Sequence, residues 1–134
     1  MTTYCTLYEK KTGRILSSFF GNESTIAENE TDEIGVFQGK LSFDVYIDDK
    51  MNVVEIPSRQ FEYQIFDFIT KSYKNDESLL VKYRNLLLQS SDWTQLPDVP
   101  LETKQAWAIY RQALRDITTQ QGYPFEVIWP IKPE

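Results

Sequence analysis

Asp76-Glu77-Ser78-Leu79-Leu80-Val81-Lys82-Tyr83-Arg84-Asn85-Leu86-Leu87-Leu88 is where this chain changes its period. Leu79, Leu80, Tyr83, Leu86 and Leu87 fall at i, i+1, i+4, i+7 and i+8, one face of a helix that begins near Asp76. Downstream, Trp107, Tyr110, Leu114 and Ile117 recur at i, i+3, i+7 and i+10 and form a second stripe. Pro97 and Pro100 lie between the stripes, so two separate helices meet at an ordered elbow. Gly122 and Pro124 stop the second one. Both stripes are too short to be stable alone and must pack on each other, on a sheet or on a partner. The second is also too brief for a coiled coil.

Upstream the period is two. Residues 4–9 and 14–20 read as strands around Lys10-Lys11-Thr12-Gly13, a hairpin loop whose glycine supplies the positive φ. Residues 21–33 are polar and read as a loop. Phe43, Val45 and Ile47 then share one strand face, with Ser42, Asp44 and Asp48 on the other. Residues 48–52 make a turn, and residues 53–56 return as a strand that Pro57 ends. Residues 61–73 are ambiguous: Phe61, Ile65, Phe68 and Ile69 suit a helix, while Phe61, Tyr63 and Ile65 alternate. Helix is the expectation there. The fold class is therefore α+β. A small antiparallel sheet of two hairpins precedes two or three short helices and an extended aromatic and prolyl tail. The domain reading is a β-rich half, 1–57, and a helical half, 58–134.

Composition removes several function classes. Hydrophobic residues at 41% and aromatics at 14% argue for a packed core rather than a disordered chain. A net charge of −6 does not suit phosphate neutralisation, so no nucleic-acid partner is expected. The single cysteine, Cys5, has no internal partner and reads as a small hydrophobe in a strand. No apolar run approaches membrane-spanning length and no charged-then-apolar leader is present, so neither a membrane span nor a signal peptide is expected.

Enzyme readings have little to stand on. The chain has no histidine, so the commonest general base and zinc ligand are missing, along with any Ser-His-Asp or Cys-His arrangement. Its five glycines are scattered and form no phosphate loop. The paired carboxylates Asp48-Asp49 and the set Glu28, Glu30, Asp32 and Glu33 fall in polar turns, where such residues bond their own backbone. We expect no catalytic residue, no metal and no cofactor.

The last third carries the most specific string: Ser91-Asp92-Trp93-Thr94-Gln95, then Pro97-Asp98-Val99-Pro100, then Ala106-Trp107-Ala108-Ile109-Tyr110-Arg111-Gln112-Ala113-Leu114-Arg115-Asp116. Gly122-Tyr123-Pro124-Phe125 and Trp129-Pro130 close it. Asp92, Trp93, Trp107, Tyr110 and Leu114 read as the structural core of this motif. Arg84, Arg111 and Arg115 have two readings. In one, Arg84 or Arg111 is an ionic staple to Asp92 or Asp116; in the other, guanidinium forks are offered to a partner. Tyr123, Phe125 and Trp129 either form an aromatic contact surface or fold back on the chain.

This string resembles the C-terminal signature of the phage tail assembly chaperone family, related to the tail fibre assembly proteins. The resemblance covers about residues 84–133. It implies a non-enzymatic protein that binds the distal, C-terminal part of a tail fibre protein and assists its folding and trimerisation. Arg111, Arg115, Tyr123, Phe125 and Trp129 are the candidate partner contacts. It also implies action in the host cytoplasm during assembly, as a homo-oligomer or in multiple copies matching a trimeric fibre. A second reading keeps the chain on the fibre of the finished virion as a structural or adhesin component. Residues 61–74 depart from the family pattern, being longer and more aromatic than expected before the Arg84 helix.

Overall fold

The computed structural model describes residues 1–134 and divides into two compact units. The first comprises Met1–Ser58 and Phe66–Ser72, the second Arg59–Ile65 and Tyr73–Glu134.

In the first unit, β1 (Thr3–Glu9) and β2 (Ile15–Gly21) pair antiparallel, with a bulge between Leu7 and Tyr8. β3 (Ile34–Gln38) joins the other side of β1, giving the order β2-β1-β3. The expected hairpin is present, and Gly13 turns it at φ +72°. That position admits no side chain, because a Cβ there would lie 1.8 Å from the Ile47 carbonyl oxygen. The close approach is used: the Ile47 N–H donates to the Gly13 carbonyl at 3.0 Å. Tyr8, Ile15 and Ile47 form the core, flanked by Phe37, Leu41 and Val45. Thr6 is fully buried, and its hydroxyl donates to the Gly39 carbonyl (2.7 Å) while accepting from the Leu41 N–H (3.0 Å). Both needs of a buried hydroxyl are met.

Two expectations for this unit change. The polar stretch 21–33 contains a helix, α1 (Glu23–Asn29), because the Asn22 carboxamide caps it by accepting from the Thr25 N–H at 3.1 Å. β4 (Val45–Ile47) and β5 (Val53–Glu55) form the second hairpin, but β4 is too short to include Phe43, which is exposed. The turn between them follows the sequence reading. The Asp48 carboxylate accepts from the N–H groups of Lys50 and Asn52, at 2.9 and 2.7 Å. These bonds, that of Asn52 first, lower the Asp48 pKa.

Residues 61–73 overturn the helix expectation. They hold β6 (Gln64–Asp67), which forms a two-stranded ribbon with β7 (Ser72–Asn75). At the turn the Asp67 carboxylate accepts from the Ile69 N–H (2.8 Å) and Lys71 takes a positive φ of 56°. A side chain that satisfies local backbone in this way competes directly with helix formation. Lys71 is held within the first unit: its ammonium donates to the Thr12 carbonyl and lies 4.6 Å from the centre of the Tyr46 ring. Burial lowers its pKa.

The second unit is helical. α2 (Glu77–Ser90) starts at Asp76, whose carboxylate accepts from the Leu79 N–H at 2.9 Å. A 3-10 turn (Asp92–Gln95) follows, then α3 (Leu101–Asp116) and a 3-10 turn (Ile117–Thr119). The second stripe is buried throughout: Trp107, Tyr110, Leu114 and Ile117. On α2 the stripe is shifted. Leu80 is fully buried and Leu79, Tyr83, Leu87 and Leu88 are packed, whereas Leu86 is exposed. Two clusters result, one around Tyr63, Leu80 and Ile117 and the other around Trp107, Tyr110 and Leu114. Trp129 packs against both.

Candidate partner-binding site

The Ser91–Gln95 corner is built from its hydroxyls. Ser91 closes α2, its Oγ lying 2.9 Å from the carbonyls of both Leu87 and Leu88. The Thr94 hydroxyl, fully buried, donates to the Ser91 carbonyl at 2.6 Å. Gln95 Nε2 then donates to the Lys104 carbonyl at 3.2 Å, tying the corner to the first turns of α3. None of these three side chains was singled out in the sequence, although Ser and Thr directly after a leucine-rich helix are a legible signal for such closure.

Arg111 enters this corner from α3. Its Nη1 donates to the Leu88 carbonyl (2.6 Å) and to Ser91 Oγ (2.7 Å), and its Nη2 donates to Asp92 Oδ1 (2.7 Å). The planar fork spreads its donors over two nitrogens in a fixed geometry that spans three oxygens, whereas an ammonium concentrates its donors on one atom. Arg111 is buried while the Asp92 side chain is mostly exposed, so the ion pair is screened on one side and the two neutral acceptors carry much of the bond. The staple reading of Arg111 describes this geometry. Arg84 has a different contact, donating to Asn85 Oδ1 on its own helix.

The aromatic residues divide by exposure. Trp107 and Tyr110 are buried and meet edge to face at 5.6 Å, and Leu114 lies beneath them. Trp93 is 53% exposed and rests on Trp107, with ring centres 5.9 Å apart. Lys132 reaches the Trp107 ring, its ammonium 5.6 Å from the ring centre.

The tail folds back on its own unit and is fastened there. Trp129 contacts Tyr63 at 5.6 Å and Tyr83 at 5.2 Å, the latter edge to face. Gln120 grips Ile128 at two points: Nε2 donates to the Ile128 carbonyl and Oε1 accepts from its N–H, both at 2.8 Å. Asn75 Nδ2 donates to the carbonyls of Pro124 and Phe125 at 3.0 and 3.2 Å. Tyr123 is partly buried, and burial, followed by the nearby Glu77 carboxylate, raises its pKa.

Of the five candidate contacts, then, Arg115 and Phe125 are exposed, Tyr123 and Trp129 are partly buried, and Arg111 is buried. The fastened tail adds two residues that the sequence reading passed over. Phe125, Ile128 and Ile131 are 69%, 82% and 93% exposed, an outward apolar row at every third residue, while Trp129 among them turns inward. Among groups of histidine, cysteine and carboxylate side chains, none could hold a metal ion. No helix is long and apolar enough to cross a membrane.

No curated protein and no solved structure matches the chain. Residues 78–134, which contain the Arg111 corner, the buried face of α3 and the fastened tail, match the family model of the phage tail assembly chaperone protein.

Proposed function

We propose that the chain binds the distal part of a phage tail fibre protein and assists its folding and trimerisation, through the exposed row Phe125, Ile128 and Ile131 with Arg115 as a charged contact. The family match supports a role in tail assembly, a non-enzymatic kind of work carried out on a phage tail protein in the host cell. The observation behind this choice of surface is the row itself. Three large apolar side chains are held out to solvent, two of them, Phe125 and Ile128, on backbone that Asn75 and Gln120 bond directly. A pinned surface loses little conformational freedom on binding, so more of the contact energy appears as affinity. Arg111 and Trp129 support this surface from behind by fixing α3 and the tail.

Co-expression with the C-terminal region of the cognate fibre tests the proposal. The fibre region should become soluble and trimeric with the intact chain. It should do so much less with the triple variant Phe125→Ser, Ile128→Ser, Ile131→Ser, which leaves the Trp129 packing in place. Equal fibre folding with the triple variant, or without any chaperone, defeats the proposal. Protein identification on purified particles then tells a departing chaperone from a retained fibre component.

A further inference from the structure

The outer side of β2 is an unfilled sheet edge with a polarity of its own. The Tyr4 carbonyl accepts from the Gly39 N–H at 2.7 Å, on the β3 side of β1. By alternation, Thr3, Cys5 and Leu7 direct their backbone groups at β2, where their partners are Gly21, Phe19 and Ser17. Ser18 and Phe20 therefore direct their N–H and C=O groups away from β1, to a side on which β2 has no neighbouring strand. β4 reaches that side only at its start, through the Arg14–Tyr46 bridge. The opposite rim of the sheet is partly closed, since Ile34 of β3 exchanges both of its backbone bonds with Thr31 at 2.9 Å. The seven residues of β2 include no charge and no proline, the devices that usually blunt an open edge.

Beside Leu16, the extra residue of the bulge, lies a depression of about 410 Å³. Leu16 and Ile34 supply apolar lining, and Glu9, Asp32 and Glu33 surround it with Lys11 as the only cation. Apolar lining under three carboxylates complements a side chain with an aliphatic stem and a cationic head. A second copy of this chain fits poorly, because each copy carries a net charge of −6.

We propose that the outer edge of β2 receives an extended segment of a partner polypeptide bearing a lysine or arginine. The segment pairs with the backbone of Ser18 and Phe20, and its basic side chain lodges in the depression at Leu16. This site is in the first unit and does not depend on the fibre-binding reading of the second.

The probe is a blocked peptide of alternating valine and threonine with one central lysine, tested beside a glutamate version and a version N-methylated at alternate residues. Calorimetry should show saturable binding of the lysine peptide, at least tenfold weaker for the other two. Amide exchange followed by NMR should slow at Ser18 and Phe20. Glu33→Lys, whose backbone bond to Lys10 is unaffected, should erase the preference for lysine over glutamate. Ser18→Pro should weaken binding at least tenfold, and the N-methylated peptide carries the same test should that variant fold poorly. No binding at millimolar peptide, equal binding of all three peptides, or unchanged exchange at Ser18 and Phe20 overturns the proposal. So does a wild-type dimer in sedimentation that Ser18→Lys converts to monomer, which would make the occupant a second copy.

Discussion

The first unit is held mainly by backbone geometry and the second by interlocking side chains. In the first, the buried cluster is small and the turns do much of the fixing. Gly13 lets two carbonyl-bearing segments approach, Asp48 organises the β4–β5 turn, and a positive φ is used at Met51 and Lys71. In the second, two clusters share Trp129, and Arg111 bridges α3 to the end of α2. The difference separates two kinds of sensitivity. A turn-fixed unit fails when a dihedral or a close approach is lost, whereas an interlocked unit fails when volume or a donor is lost.

The largest expected effect is Trp107→Ala, which should lower stability by about 3–5 kcal/mol as a buried aromatic truncation. Thermal or urea melts followed by signals from α2 and α3 measure it. An effect below about 1 kcal/mol would show that the interlock is spread too widely for one ring to matter. Gly13→Ala should cost about 2–5 kcal/mol, combining left-handed strain with steric overlap against Ile47. Amide exchange in β1 and β2 should accelerate first. A neutral result there would break the claim that backbone geometry fixes the first unit.

Arg111→Lys should destabilise by about 1–3 kcal/mol, since an ammonium cannot satisfy the Leu88 carbonyl, Ser91 Oγ and Asp92 with one planar fork. If lysine restores full stability, charge rather than geometry governs the corner. Trp93→Ala, with half its surface already in water, should cost about 1–2 kcal/mol, well below Trp107. Equal losses at the two tryptophans would contradict the observed division of burial.

The smallest effect concerns acid. Asp48 and Asp76 both have lowered pKa values, from N–H donors in a turn and at a helix start respectively. The folded state thus favours their charged forms. Stability from these contacts is complete above the ordinary aspartate range and is lost as pH falls through the depressed values. Melting temperature should fall on acidification, and Asp48→Asn should flatten a small part of that dependence.

What was legible in the sequence follows the same division. The α3 stripe was read closely, because burial of Trp107, Tyr110 and Leu114 dominates any local preference, whereas on α2 the reading turned Leu86 inward and the structure leaves it exposed. The Lys10–Gly13 hairpin was also legible, since glycine has few other reasons to follow a polar triplet between alternating strands. The ribbon at residues 64–75 was misread because its aromatics satisfy both periods over so short a span. The deciding element is a single Asp67 carboxylate bonding the turn. α1 was missed for a similar reason, since its start signals, the Asn22 cap and Glu23 in the first turn, sit in a polar stretch and no residue of it is buried. In the site, the charged and aromatic residues were visible. The hydroxyls of Ser91 and Thr94 were passed over: their position after a leucine-rich helix signals closure, but which carbonyls they meet depends on where α2 ends.

One property of the Arg111 corner bears on the medium in which the protein works. Two of its three acceptors, the Leu88 carbonyl and the Ser91 hydroxyl, carry no formal charge, and only Asp92 does. Dissolved ions weaken attraction between charges but leave a short bond to a dipole nearly untouched. The helix junction is therefore insulated against changes in ionic strength. A surface held by it would keep its shape in the concentrated and variable electrolyte of a crowded cell, while contacts that rely on Arg115 alone would loosen.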